Sequence, residues 1–411
     1  MKVVVCGGGI GGQALALSLH AAGIEAEVFE AAPEIKELGV GINVLPHAVR
    51  ELVELGLADQ LAATGVATSE LLMFNRHGQL IWREPAGLAE GYNWPQYSIH
   101  RGRLLGLLYR ASLERLGPDH VRTDHRVVSH EQTDEGASVT FADGSSAEGD
   151  LVVGADGLDS AIRAQLYPDE GDPLWNGVTM WRGIALARPP VSPTSMMLVG
   201  RKGRRAVLYP LSAPDDEGRV EVNMVLDGQT GEAHAMPKQD WHHEVHRSEV
   251  IDLFGGMRYD WLDLGSLIET AEQWWKYPMV DRDPVERWSF GRVTLLGDAA
   301  HPMYPVGSNG ASQAIVDART LAHALATEDD LGTALAKYED ARRPATAGVV
   351  QANRELLAVR CMELAEERAP DGFDRPEDIF APGELEELAS EFKRIAGFDP
   401  AELNERPSLS V

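Results

Sequence analysis

Three glycines near the N-terminus constrain the fold of this chain more than any other feature. Gly7, Gly9 and Gly12 form a G-x-G-x-x-G motif after a short apolar strand over residues 3–6 and at the mouth of a helix that ends at Gly23. In such a motif the first glycine allows a tight turn, the second lets a pyrophosphate approach, and the third lets helix and strand pack closely. The motif therefore predicts the first half of a Rossmann-like dinucleotide-binding domain.

The second strand of this unit ends at Glu30. A carboxylate at that position accepts hydrogen bonds from ribose hydroxyls and repels a 2′-phosphate, which favours FAD or NAD over NADP. The motif alone does not separate FAD from NAD, and a glycine-rich turn without a ligand is the simpler alternative.

The order of the remaining segments predicts a split domain. A buried strand near residues 293–296 ends in Gly297-Asp298 and is followed by a loop and a helix, so the first domain's pattern returns after a stretch of alternating strands. We expect an α/β fold, α+β overall, in which an inserted antiparallel β-sheet substrate domain divides a Rossmann-like FAD/NAD(P)-binding domain and C-terminal helices follow. The predicted boundaries are 1–170 and 286–365 for the two parts of this FAD/NAD(P)-binding domain, 171–285 for the β-rich substrate domain, and 366–411 for an acidic C-terminal helical segment.

The net charge and the cysteine content limit which binding partners and which cellular compartment the sequence allows. With 37 Lys and Arg against 64 Asp and Glu, the net charge of −27 repels nucleic acid and anionic membrane surfaces. Two cysteines, no export signal and no spanning apolar run predict a soluble cytoplasmic protein, monomer or homodimer, without nucleic-acid or membrane partners. The string at 242–246 lacks the last histidine of H-E-x-x-H, because Arg247 stands there, so it predicts a solvated helix and no metal site.

Two further turns resemble a known family. The strings GADG at 154–157 and GDAAHP at 297–302, with the first motif, resemble the three fingerprints of the group A flavoprotein monooxygenases, the p-hydroxybenzoate hydroxylase class. The resemblance implies that Asp298 binds the flavin ribityl chain and that Asp156 and Gly157 lie near the pyrophosphate. It also implies FAD as cofactor, NADH or NADPH as co-substrate with NADH favoured, and O2.

Other cofactor contacts follow from the same resemblance. Arg101 resembles the arginine of a family His-Arg pair, and its planar fork suits a pyrophosphate. The loop from Pro305 into the next helix would point backbone N–H groups at the flavin, where they stabilise negative charge. The predicted cofactor-binding residues are Gly7, Gly9, Ile10, Gly12, Glu30, Arg101, Val127, Asp156, Gly157, Asp298, Gly307, Gly310 and Ala311.

Four strings, at 95–101, 180–183, 277–284 and 303–312, look like the phenazine-hydroxylating branch of this family. That branch implies hydroxylation, with or without decarboxylation, of an aromatic or N-heteroaromatic acid of the phenazine-carboxylate type through a C4a-hydroperoxyflavin. The alternatives are a catabolic hydroxylase of salicylate- or hydroxynicotinate-type acids and, in another class, a non-catalytic ligand-binding protein with a flavin fold.

Residues that face the substrate are the hardest to predict from sequence. Aromatic rings can stack on a planar substrate or donate a hydrogen bond to it, and a histidine of near-neutral pKa can take a phenolic proton. His301 is a second base candidate but more often has a structural role beside Gly297-Asp298. The predicted substrate-pocket residues are Trp181, Tyr209 and Tyr304, and the catalytic candidates are His47, Tyr209, Tyr304 and Pro305.

Overall fold

The computed structural model describes residues 1–37, 39–236 and 243–411. Its strands are β1 (Lys2–Cys6), β2 (Glu25–Phe29), β3 (Gly41–Val44), β4 (Val66–Thr68), β5 (Glu70–Phe74), β6 (Leu80–Pro85), β7 (Gln96–His100), β8 (Val121–Arg122), β9 (Val127–Gln132), β10 (Ala137–Phe141), β11 (Ser146–Gly149), β12 (Leu151–Gly154), β13 (Leu174–Ala187), β14 (Ser195–Arg201), β15 (Arg204–Pro210), β16 (Val220–Gln229), β17 (His234–Ala235), β18 (His243–Val245), β19 (Arg258–Tyr259), β20 (Leu262–Asp263), β21 (Trp274–Asp281), β22 (Ser289–Phe290) and β23 (Val293–Leu295). Its α-helices are α1 (Ile10–Ala21), α2 (Pro46–Glu54), α3 (Ala58–Thr64), α4 (Arg101–Leu116), α5 (Ala161–Leu166), α6 (Arg247–Phe254), α7 (Leu264–Thr270), α8 (Gly310–Thr327), α9 (Leu331–Arg354), α10 (Arg360–Arg368), α11 (Glu384–Ala396) and α12 (Pro400–Glu405).

A six-stranded sheet in the order β22-β23-β12-β1-β2-β8 forms the cofactor half of the molecule, and only its edge strand β22 is antiparallel to its neighbour. Cys6 pairs with Gly154, and Gly154 pairs with Leu295, so the three glycine turns follow neighbouring strands at one edge. Ligands of open α/β sheets bind at this carboxyl edge. The predicted α/β fold class is confirmed.

A nine-stranded, mainly antiparallel sheet forms the other half, in the order β18-β21-β13-β16-β15-β14-β5-β6 with β17 beside β13. The predicted boundaries assign residues 70–85 to the first part of the FAD-binding domain. In the structure these residues form β5 and β6, and β5 pairs in parallel with β14. The sheet therefore takes two strands from the segment before the insertion.

The two faces of the larger sheet have different neighbours. One face packs on α6 and α7 around Trp181, Met224, Phe254 and Trp274. Side chains alternate between faces along a strand, so the neighbours of these residues point the other way, toward the cofactor half. That second face forms part of the cavity described below.

Two smaller features complete the fold. His243–Val245 form β18, which pairs with β21, so the helix predicted across residues 242–246 is wrong for these three residues, while His242 lies outside the described residues. The predicted C-terminal helices are present as α10, α11 and α12. Of the helices in the described ranges, none is long and apolar enough to cross a membrane.

Candidate active site

A cavity of about 460 Å³ lies between the carboxyl edge of the six-stranded sheet and the second face of the nine-stranded sheet. It joins a glycine-rich end to an apolar end without a break. The predicted site residues that line it are Gly9, Ile10, Arg101, Gly157, Tyr209, Asp298, Pro305, Gly307, Gly310 and Ala311.

The three motif glycines are needed for three different reasons. Gly7 has φ +113°, and a Cβ there would lie 2.2 Å from the carbonyl oxygen of Ala155. A Cβ on Gly12 would lie 1.9 Å from the carbonyl oxygen of Gly7, so this glycine permits close packing of helix and strand. A Cβ on Gly9 would have no protein atom within 4 Å, and Gly9 lines the cavity in front of α1. Space for a phosphate is therefore left open where the N–H groups of α1 are free.

Glu30 is held beside this turn. Its carboxylate accepts hydrogen bonds from the backbone N–H of Gly8 and of Ala32, each at 2.7 Å. Each oxygen keeps a free lone pair, because a carboxylate oxygen accepts two bonds. The carboxylate is thus oriented at the end of β2, as a ribose-binding residue requires.

Asp156 has a structural task that the sequence did not reveal. Its carboxylate accepts hydrogen bonds from Ser160 Oγ at 2.5 Å and from the backbone N–H of Ala161 at 2.8 Å, which fixes the start of α5. Burial raises the pKa of this carboxyl, and those hydrogen bonds oppose the rise. The neighbours Ala155 and Gly157 line the cavity, while Asp156 orders the turn that carries them.

Asp298 projects into the cavity from the turn after β23. Its side chain is open to the cavity but lies deep in the protein, and this burial raises the pKa of the carboxyl while the charges of His301 and Arg101 oppose the rise. Arg101, at the start of α4, lines the same cavity. An acceptor and a cation are thus available to a ligand with hydroxyl and phosphate groups.

The loop before α8 closes this end of the cavity. Asn353 Nδ2 donates to the carbonyl oxygen of Tyr304 at 2.9 Å, and Asn309 Nδ2 donates to that of Gly307 at 3.1 Å. Gly307 has φ +74°, in the left-handed region that favours glycine. Gly310 and Ala311 begin α8 and line the cavity, so helix N-terminal N–H groups lie at its wall.

The apolar end is formed by the second face of the larger sheet. Its lining residues include Met73, Met180, Met196, Leu198, Val207, Val225 and Met279. Two arginines and one carboxylate interrupt this apolar lining. Arg205 Nη2 lies 3.5 Å from Asp227 Oδ2, with both side chains nearly buried, and Arg182 Nη2 donates to the carbonyl oxygen of Gly41 at 2.6 Å. Sequence reasoning missed Arg205 and Asp227, and their only signal is a charge at an inward position of an alternating strand.

Part of this polar group is unpaired. Within the described ranges, Arg182 Nε and Asp227 Oδ1 are buried without a hydrogen-bond partner. Arg182 lines the cavity and its side chain is only partly buried, so a ligand acceptor can reach its guanidinium through a nitrogen other than Nε. Tyr209 Oη also donates to the carbonyl oxygen of Gly41, at 2.7 Å, which places its ring at the junction of the two halves.

The cavity lining lacks eight of the predicted site residues, which are Gly7, Gly12, Glu30, His47, Val127, Asp156, Trp181 and Tyr304. Three of these, Trp181, Tyr304 and Val127, have side chains packed elsewhere. Trp181 is buried on the opposite face, where its Nε1 donates to Glu249 at 2.9 Å, because its strand neighbours Met180 and Arg182 take the inward positions. Tyr304 is buried next to Asp281. Burial raises the pKa of the Tyr304 hydroxyl, and the negative charge of Asp281 raises it further. Val127 is buried in the core at the start of β9. The structure therefore places none of these three side chains in the cavity lining.

The two histidine candidates also lie away from the cavity lining. His47 is buried and stacks on Phe398, with ring centroids 5.3 Å apart, and burial lowers the pKa of its imidazole well below the usual value. His301 Nε2 lies 2.5 Å from Asp317 Oδ2, and Arg342 Nε donates to the same carboxylate at 2.7 Å. Both rings are packed into the protein interior.

His47 predicts a measurable pH effect on stability. Because its pKa is lowered in the folded state, the unfolded chain binds more protons below the usual histidine pKa, and stability falls as the pH is lowered. One such group contributes a slope of at most about 1.4 kcal/mol per pH unit. His47→Phe keeps an aromatic ring against Phe398 and removes the titration, so its free energy of unfolding should fall less than that of the unmodified protein between about pH 7 and pH 5. Urea unfolding at both pH values measures this. An equal fall in the free energy of unfolding of the two proteins between pH 7 and pH 5 would contradict the prediction.

A dinucleotide cradle that opens into an apolar chamber is the arrangement of an FAD-dependent aromatic-ring monooxygenase. Residues 1–353 match the family described as FAD binding domain, and the chain belongs to this family. It is 46% identical over 362 residues to phenazine 1,6-dicarboxylic acid hydroxylase PhzS of Lysobacter antibioticus, which covers 86% of this chain and 89% of the relative.

Two further comparisons agree. The chain is 36% identical over 354 residues to 3-hydroxybenzoate 6-hydroxylase 1 of Aquipseudomonas alcaligenes, which covers 85% of this chain and 86% of the relative. The crystal structure of Klebsiella pneumoniae HpxO complexed with FAD and uric acid superposes with a TM-score of 0.74 at 27% identity, covering 97% of this chain and 95% of that one. The predicted family, FAD as cofactor and the enzyme class are confirmed.

Proposed function

We propose that this enzyme hydroxylates an aromatic or N-heteroaromatic acid of the phenazine-carboxylate type, with FAD as cofactor, NADH in preference to NADPH as reductant, and O2 as the oxygen source. The observation that supports this best is the continuous cavity that joins the glycine turns to a methionine-lined sheet face with two arginines. The names of the relatives, hydroxylases of phenazine and benzoate acids, agree with it.

The residues at the glycine-rich end suit FAD. The turn at Gly9 and the guanidinium of Arg101 would hold the pyrophosphate, Glu30 the ribose, Asp298 the ribityl hydroxyls, and the first N–H groups of α8 the edge of the flavin ring. When bound and reduced, FAD would supply activated oxygen for transfer to the substrate ring.

The chain itself supplies a dry, oriented chamber. The methionine and leucine side chains exclude water from the place where the ring would react. In a protein of net charge −27, an anionic substrate needs a local cationic group, and Arg182 and Arg205 provide one at the apolar end. Asp227 forms an ion pair with Arg205, whereas Arg182 donates to the neutral carbonyl group of Gly41, so the positive charge of Arg182 is the one left for a ligand. We propose that Arg182 binds the substrate carboxylate.

Arg182→Gln tests this assignment together with the function. We expect NADH oxidation by the FAD-loaded enzyme to be stimulated by an aromatic acid, with a hydroxylated product detected by mass spectrometry. A hydrogen bond to a charged group contributes about 1.5–3 kcal/mol, so Arg182→Gln should raise the KM for the acid roughly 10- to 150-fold. The corresponding carboxamide, which lacks the charge, should show little change.

Arg258→Gln is the matched control, because this arginine of the same domain is exposed and paired with Asp263 at the surface. Its KM for the acid should equal that of the unmodified enzyme. An unchanged KM in Arg182→Gln would contradict the carboxylate contact. Absence of aromatic-stimulated NADH oxidation in the unmodified enzyme would contradict the function and favour the ligand-binding alternative.

The state of the cysteines agrees with a reducing compartment for the enzyme. Both cysteines, Cys6 and Cys361, are free and buried. We therefore propose a cytoplasmic enzyme. Monomer or homodimer is the separate proposal for its oligomeric state.

A further inference from the structure

The C-terminal segment forms a wall of the cavity although it lies beyond the family match, which ends at residue 353. Residues 357–361 line the cavity next to the loop before α8, and α11 contributes a second stretch of lining. The acidic composition of residues 366–411 predicts surface helices or an oligomer contact, but one face of α11 lines the cavity. The shape of the cavity at this end is therefore set by residues outside the family's common region.

One face of α11 provides this lining. The lining residues are Leu385, Leu388, Ala389, Phe392 and Lys393. Their spacing of three and four residues places them on a single side of the helix. Glu387 lies on the opposite side and is exposed. The helix thus presents a small residue, Ala389, to the cavity between larger ones.

Two contacts fix this helix in position. Phe392 packs so closely on the loop before α8 that a Cβ on Gly307 would lie 2.3 Å from its ring. The next residue, the nearly buried Lys393, places its Nζ 2.5 Å from Glu84 Oε1 and also contacts Glu90. Breaking a buried ion pair leaves an uncompensated charge and costs several kcal/mol, so these contacts hold the C-terminal half of α11 in place.

The charged side chains at the two ends of the cavity would orient an anionic ligand. Among the lining residues at the α11 end, the charges of Lys393 and Arg360 balance those of Glu84 and Glu90, whereas Arg182, Arg205 and Asp227 leave the sheet face with a net positive charge. An anionic ligand would therefore direct its carboxylate to the sheet and its uncharged rings toward α11.

We propose that α11 determines how large an aromatic acid this enzyme accepts, with Ala389 as the residue that leaves room for the distal rings. This inference rests on the proposed function, because it concerns the same cavity. A larger side chain at position 389 would occupy the space of the distal rings and leave the arginine end unchanged.

The test is Ala389→Phe, with Glu387→Phe as matched control on the outer side of the same helix. The probes are phenazine-1-carboxylate, with three rings, and benzoate, with one, and their binding is followed by the change in visible absorbance of the bound flavin. Overpacking costs about 1–3 kcal/mol, so Ala389→Phe should bind the three-ring acid roughly 5- to 150-fold more weakly. Binding of the one-ring acid, and both affinities of Glu387→Phe, should change little.

Equal weakening of both acids in Ala389→Phe, or no weakening of either, would overturn the proposal. If Ala389→Phe does not fold, Leu388→Ala gives the opposite test: opening the wall should improve binding of the three-ring acid relative to the one-ring acid, and an unchanged ratio overturns the proposal. Binding that follows these expectations without aromatic-stimulated NADH oxidation would contradict the proposed function and leave the role of α11 supported.

Discussion

Asp298→Ala is expected to purify as a folded protein that has lost most of its FAD. The side chain is open to the cavity, so its removal leaves the turn intact and takes away the acceptor assigned to the ribityl hydroxyls. Hydrogen bonds to a charged group contribute about 1.5–3 kcal/mol, so the Kd for FAD should rise roughly 10- to 150-fold. The flavin absorbance per protein after purification, and titration of the apoprotein with FAD, measure this.

Asp298→Asn is the matched variant, because it keeps a carbonyl acceptor and removes only the charge. Its Kd for FAD should lie between those of the unmodified protein and Asp298→Ala. An Asp298→Ala protein that stays fully yellow would show that the residue does not hold the cofactor.

Gly12→Ala and Gly9→Ala are expected to fail in different ways. A Cβ at Gly12 would lie 1.9 Å from a backbone oxygen, which requires α1 to move away from β1, so the free energy of unfolding should fall by about 1–3 kcal/mol or more. A Cβ at Gly9 meets no protein atom, and the backbone there, with φ −71°, suits any residue. Gly9→Ala should therefore keep the stability of the apoprotein and bind FAD more weakly.

Urea unfolding of the apoproteins, combined with FAD titration, separates these two effects. Gly23→Ala is not a suitable control, because Gly23 has φ +70°. Gly256 is suitable, because a Cβ there would have no protein atom within 4 Å. Gly256→Ala should change neither property. A loss of apoprotein stability in Gly9→Ala as large as that in Gly12→Ala would contradict the assigned roles.

Local signals made the cofactor half predictable. Each glycine turn directly follows a short apolar strand, so the motif and its structural context are adjacent in sequence. Asp298 follows the end of β23 by three residues, and its role is implied by the family resemblance of the string that contains it. By contrast, β5 and β6 could not be assigned to the larger sheet, because β5 pairs with β14, which begins at Ser195. Pairing between distant segments leaves no local trace.

The surroundings of individual side chains were harder to predict from the sequence than the cofactor turns. A strand pattern predicts that Trp181 and Arg182 face opposite ways, but the sequence does not say which side meets the cofactor half. The aromatic ring of Trp181 predicts a substrate contact, but the structure buries it against α6 and α7. The imidazole of His47 predicts a general base, yet it stacks on Phe398, a contact with the C-terminal segment that only the folded chain creates.

The most direct test of the central claim is transfer of oxygen to an aromatic acid. The FAD-loaded enzyme, given NADH, isotopically labelled O2 and phenazine-1-carboxylate or a one-ring hydroxy acid, should form a product that contains one labelled oxygen atom, in amounts that account for most of the NADH consumed. NADH consumption that yields only hydrogen peroxide with every acid, or labelled product that forms equally without the enzyme, would contradict the account.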